Sequence, residues 1–154
     1  MNHSPASISK NSRLLIARKA LAEGLGTALL IVAVVGSGIM ATNLSPNDVG
    51  LQLLENAIAT GGALVALILT CGSISGAHFN PAVTLSFRAQ GELSNTETLA
   101  FISAQIIGAC VGSVIANVMF SLDPINLSTK SRSTGPFGSQ KASPLWACCW
   151  SFTA

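Results

Sequence analysis

One run of the 154-residue sequence gathers most of the side chains able to act on another molecule: Gly72-Ser73-Ile74-Ser75-Gly76-Ala77-His78-Phe79-Asn80-Pro81-Ala82-Val83-Thr84-Leu85-Ser86-Phe87-Arg88. Ser73, Ser75 and His78 offer nucleophiles and a base. Hydrolysis needs more than those types. Neither serine stands in a G-x-S-x-G frame and no orienting acid lies nearby in the sequence, so the chain is not read as an enzyme. A second chemistry fits the spacing better. Asn80 is a good helix N-cap and Pro81 a good first helical residue, because proline lacks the N–H that would have no partner there. A helix from Pro81 to Arg88 would be about 12 Å long, with its free N–H groups and the positive end of its dipole beside Asn80. Gly76 to Phe79, read as extended, would present successive carbonyls. Donors at one point and acceptors along one wall describe a path for neutral polar solutes that repels cations. No metal and no cofactor is called for.

Such a segment needs a frame. It is too apolar for a solvated loop, and its helix is too short to cross a bilayer, so it reads as a re-entrant stretch over 72–88. Non-helical backbone at that depth survives only where it is buried in protein or lines water. The composition supplies the frame: 49% of residues are apolar and 9% charged, with a mean hydropathy of +0.58. A soluble domain carries about 25% charged residues. The spacing predicts membrane spans at about 20–42, 51–71 and 98–122, an N-terminal polar tail over 1–13 and a polar tail over 123–154. The first span is longer than the apolar core of a signal peptide. The net charge of +2 is spread without a basic run, which gives nucleic acid no footing. Cys71 and Cys110 sit in apolar segments and Cys148 and Cys149 are adjacent, so neither a zinc nor a disulfide framework is predicted.

Lys10, Arg13, Arg18 and Lys19 cluster before the first span, which places the N-terminus in the cytoplasm. Lipid tails are as apolar as leucine, so helices in a membrane associate by close approach at small residues. Gly24 and Ala28, Gly61 and Gly62, and Ala104, Gly108 and Gly112 put such residues in all three spans. The expectation is a tightly packed bundle.

The ten residues from Ser75 to Thr84 resemble the first signature loop of the major intrinsic protein family, the aquaporins and aquaglyceroporins. The likeness extends to Ala22-Glu23-Gly24-Leu25-Gly26-Thr27 and Ala104-Gln105-Ile106-Ile107-Gly108-Ala109, and covers about 14–130. The resemblance implies an all-α membrane protein with three transmembrane helices and one re-entrant half-helix, half of the family's inverted-repeat bundle. It implies that Asn80, with Pro81 and Ala82, donates to the solute at the channel centre, and that Gly76, Ala77 and His78 present carbonyls. Glu23 would be the buried acid bracing the loop, since a carboxylate within a span is costly unless paired or functional. Gln105 would pack inside the bundle. Thr60 matches a position of the outer selectivity filter where water-selective members usually carry an aromatic. A small hydroxyl there implies a wider pore, passing glycerol or neutral metalloid acids as well as water. The family also implies a lipid bilayer as partner, a homotetramer for a full-length chain and, for a bacterial member, the inner membrane.

The family builds its pore from two repeats, and only the first is recognisable here. Read from the third base of each codon, with permissive codon choices, 140–154 becomes an apolar string led by Glu that resembles the opening of the family's fourth span. The expectation is a frameshift between about Ser131 and Gln140 in a full channel gene. Two classes of function follow: half of a channel that does not conduct alone, or a non-conducting membrane protein that assembles with other subunits, the product of a decayed gene included.

Overall fold

The computed structural model describes residues 5–124, with side chains from Asn11 on; the tail beyond, with its expected frameshift, lies outside the described residues. Four helices follow one another: α1 (Pro5–Leu44), α2 (Val49–Ser75), α3 (Pro81–Ala89) and α4 (Asn95–Met119). No strand occurs among the described residues. Three helices are long and apolar enough to cross a membrane, and α3 is not. In hydrocarbon every backbone N–H and C=O must be satisfied within the segment, and a continuous helix does this.

The ends are set by local chemistry. Asp48 caps α2, its side chain accepting from the Leu51 N–H at 2.9 Å. Gly76, at φ +95°, closes the same helix with its N–H on the Gly72 carbonyl. Ser94 and Glu97 form a reciprocal capping box at the start of α4. These caps explain why α2 and α4 differ by several residues from the apolar limits read at 51–71 and 98–122. The larger difference is at α1, which begins at Pro5, inside the stretch read as a polar tail. Its 40 residues make a helix roughly 60 Å long, about twice the hydrocarbon thickness.

α1 packs against both α2 and α4, and α3 lies on α4. The α1/α4 crossing is a backbone contact. A Cβ at Gly108 would run into the Gly24 carbonyl, and one at Gly112 into the Ala28 carbonyl. Gly61 and Gly62 behave otherwise: nothing lies within 4 Å of where their Cβ would be. Among the described residues these two glycines of α2 therefore do not serve the packing expected of them. The interior is polar where a soluble protein's would be apolar: Glu23, Thr84 and Gln105 are almost fully buried beside Phe101, while Leu25, Leu29, Leu53 and Leu69 face outward.

Candidate functional site

Glu23 sits in the span of α1 and is 0% exposed. Its Oε1 accepts from the Ser75 hydroxyl at 2.6 Å and the His78 N–H at 3.0 Å; Oε2 accepts from the Phe79 N–H at 2.7 Å and Gln105 Nε2 at 2.9 Å. One carboxylate thus ties together α1, the end of α2, the turn before α3, and α4. A buried carboxylate is tolerable only when its lone pairs are filled by donors, and four donors fill them here. Close approach of α4 to α1 at the glycines puts Gln105 within reach.

The turn itself differs from the extended ladder expected over Gly76 to Phe79. Gly76, Ala77 and Phe79 have φ of +95°, +51° and +47°, left-handed values that cost a non-glycine residue. Glu23 supplies the reason. Left-handed turns swing two consecutive N–H groups, of His78 and Phe79, onto one carboxylate, as in other backbone anion nests. In a trans peptide the N–H and C=O of one unit point in opposite directions. With those two N–H groups turned to Glu23, the carbonyls of Ala77 and His78 are directed away from it. The Phe79 ring lies against the bare backbone of Gly26, where a Cβ would overlap it.

Asn80 then caps α3. Its Oδ1 accepts from the Ala82 N–H at 2.8 Å and Pro81 takes the first helical position, which leaves the amide nitrogen as the atom with protons to donate. Thr84, one turn into α3, donates to the Asn80 carbonyl at 3.2 Å and accepts from Gln105 Nε2 at 3.0 Å. His78 Nδ1 lies 3.2 Å from the same hydroxyl. Thr84 has one proton, so with that proton on Asn80 the imidazole donates from Nδ1. The ring stacks on Phe87 at 4.5 Å and meets the edge of Phe101 at 5.6 Å. His78 is therefore turned into the core. The structure does bring an acid to Ser75, which sequence distance concealed, but Glu23 binds the hydroxyl directly and the imidazole engages Thr84. That is not the geometry of a nucleophile, base and orienting acid.

Thr60 stands apart from this cluster. Its hydroxyl donates to Asn56 Oδ1 at 3.3 Å, and that oxygen also accepts from the Ser37 hydroxyl of α1 at 2.7 Å. The sequence reading missed Asn56 and Ser37, and missed Thr84 and Ser75 as braces. Thr84 had a signal, its four-residue spacing from Asn80 on a short helix; Ser37 and Asn56 meet only in the fold. Near the opposite end of the bundle Lys19 Nζ lies 3.4 Å from Glu97 Oε1, and Arg88 Nε donates to Asn95 Oδ1 at 2.7 Å.

A family model described as "MIP: Major intrinsic protein" matches residues 10–142. Aquaglyceroporin AqpS of Rhizobium meliloti (strain 1021) is 50% identical over 121 residues, 79% of this chain and 51% of that protein. Aquaporin NIP1-2 of Arabidopsis thaliana is 37% identical over 106 residues, covering 69% of this chain and 35% of its own length. Aquaporin Z of Photorhabdus laumondii is 34% identical over 104 residues, with 68% and 44% covered. The chain spans about half, or less, of the length of these relatives.

Proposed function

The chain belongs to the major intrinsic protein family, and from that premise we propose that it builds one side of a membrane channel for water and small neutral solutes such as glycerol or neutral metalloid acids. The observation that carries the reading is the four-donor site at Glu23. By holding the His78 and Phe79 N–H groups it turns the Ala77 and His78 carbonyls outward as acceptors, and it delivers the chain to Asn80 with the amide nitrogen free to donate. The N-terminal end of α3 adds positive potential at the same point. A solute crossing here exchanges its water for these groups, and a cation meets repulsion. Pro81 and Ala82 start the half-helix, Gly76 turns the chain into it, and Thr60 contributes a small hydroxyl to an outer filter. The name of the Rhizobium relative, an aquaglyceroporin, supports a solute larger than water.

α3 is a single half-helix, and the wall facing it has to come from a second, inverted repeat, on the same polypeptide or another. Without it half of the path faces lipid, so the residues described here do not conduct by themselves. The basic cluster from Lys10 to Lys19 puts the N-terminus in the cytoplasm, in a bacterial inner membrane, and the complete channel assembles as a tetramer.

Reconstitution in lipid vesicles tests this. The chain alone gives no glycerol or water flux above that of empty vesicles, whereas co-reconstitution with the C-terminal half of the Rhizobium relative gives glycerol flux that Glu23→Ala removes. Flux from the chain alone would overturn the half-channel reading. A co-purifying pair that carries no solute would overturn the channel itself and leave a non-conducting assembly protein.

A further inference from the structure

One exposed side of α1 is a row of leucines with a single exception. Leu14, Leu21, Leu25 and Leu29 are each more than half exposed, and their spacing puts them on one stripe of the helix. Arg18 completes the row, four residues after Leu14 and three before Leu21, and is exposed as they are. The small residues of α1, Gly24 and Ala28, lie against α4 instead. Helices in a membrane associate by close approach at small residues, so a face of bulky leucines is one that lipid tails cover.

A guanidinium in that row has no protein group to meet. Arg18 makes no hydrogen bond or ion pair with any described residue, whereas Lys19 beside it reaches Glu97 and Arg88 reaches Asn95. Arg13 is exposed too, but five residues turn it about 140° away from Arg18, off the row. Depth then decides what Arg18 meets. It stands two residues, about 3 Å, before the span that starts near residue 20. Helix side chains lean toward the N-terminus, which at this end of α1 is away from the hydrocarbon. The stem of Arg18 can lie along the leucines while the guanidinium reaches the layer of lipid phosphates, where its planar fork pairs with two phosphate oxygens at once. Leu21 and Leu25, one and two turns deeper, flank the acyl chains of the same lipid.

We propose that Arg18, Leu21 and Leu25 form a binding site for one anionic phospholipid of the phosphatidylglycerol kind, in the leaflet at the N-terminal end of α1. The guanidinium takes the phosphate and the leucines take the tails. Charge specifies an anionic lipid: no described carboxylate compensates Arg18, and a choline headgroup brings its own cation to the phosphate. The site requires α1 to span a bilayer and is independent of whether any solute crosses.

Native mass spectrometry of the whole chain, delipidated in detergent micelles and titrated with phosphatidylglycerol, tests the site. Arg18→Gln removes an exposed group, so the fold stands, and it weakens binding of the first lipid roughly fivefold, the worth of one arginine at an anionic surface. Arg18→Lys keeps part of that affinity, and Arg13→Gln, the same charge change off the row, has the smaller effect. Equal losses from Arg13→Gln and Arg18→Gln would overturn the site in favour of diffuse charge attraction. Displacement of the lipid by inorganic phosphate would overturn the lipid as occupant. In phosphatidylglycerol bilayers free of phosphate buffer, carbon–phosphorus recoupling in solid-state NMR of labelled arginine shows lipid phosphorus beside the signal that Arg18→Gln abolishes. A signal without phosphorus nearby overturns the proposal, and if Arg18→Gln then also dissociates an oligomer, the face belongs to a second copy of the chain.

Discussion

α4 and α2 are both long apolar helices lying on α1, yet the two contacts are made by opposite means. On the α4 side the backbones themselves meet, with Gly108 under the Gly24 carbonyl and Gly112 under that of Ala28. On the α2 side one side-chain hydrogen bond crosses from α1, Ser37 to Asn56, and the turn after α1 adds Ser45 to Glu55, with Gln52 Nε2 donating to the Ser45 carbonyl at 2.7 Å. At Gly61, Gly62 and Gly72 of α2 an added Cβ would meet nothing within 4 Å among the described residues. A glycine in a membrane helix is thus not in itself a sign of packing; it matters where an opposing carbonyl fills the missing side chain. The difference also separates rigid from adaptable parts. The backbone crossing fixes Gln105 against Glu23, and through Glu23 the turn before α3, whereas the α2 contact sets only the polar group around Thr60.

The hardest blow to this contrast is Gly108→Leu. The new side chain meets backbone, which cannot yield, so a loss above about 5 kcal/mol and failure to hold α1 on α4 are expected; SDS titration in bicelles measures it. Should Gly108→Leu be tolerated, the claimed rigidity of the crossing is wrong. Glu23→Ala comes next, at about 3–5 kcal/mol, because four buried donors lose their acceptor together. Hydrogen exchange of the His78 and Phe79 amides in bicelles reports it, and unchanged protection there would sever the link between the crossing and the site. Gly26→Ala costs about 2–3 kcal/mol through the Phe79 ring, and Phe79→Leu in the same chain recovers part of it; a double-mutant cycle without coupling would show that the ring does not rest there.

On the other side the numbers shrink. Ser37→Ala removes one interhelical hydrogen bond, worth about 0.6 kcal/mol in a membrane protein. Gly62→Ala meets open space in a helix and is expected within about 1 kcal/mol of the wild type, on the stabilising side. A large destabilisation by Gly62→Ala would mean that this face is covered by something after all, and the contrast between the two helices would shrink to a difference in partner.

Much of the architecture was legible before any coordinates. Asn80-Pro81 marks a helix start because a cap acts on N–H groups two or three residues away, inside one reading window; the Asp48 cap and the Ser94/Glu97 box are equally local, but the sequence reading did not single them out. Hydropathy found three spans because lipid acts on each segment separately. It did not give the start of α1, since hydropathy marks an apolar stretch and not where a helix begins. It also set the small residues of α2 on a par with those of α4, because spacing carries no information on which helix approaches.

The site divides in the same way. The residues of the loop, the half-helix and the isolated acid at Glu23 could be named from residue type, because a carboxylate within an apolar span and an Asn-Pro step before a short helix are anomalies visible in one dimension. Their arrangement was decided by contacts between residues 52 to 82 positions apart, Glu23 with Ser75, His78, Phe79 and Gln105. Those contacts bend a stretch expected to be extended into left-handed turns, because two amide protons satisfied by a buried carboxylate outweigh the local preference of Ala77 and Phe79. The sequence by itself determined the solvent, the spans and the chemical groups on offer, all of which follow from local composition. Only the tertiary structure decided which carbonyls face outward, which glycines are filled and which threonine is held by a side chain, because each depends on where a distant helix comes to lie.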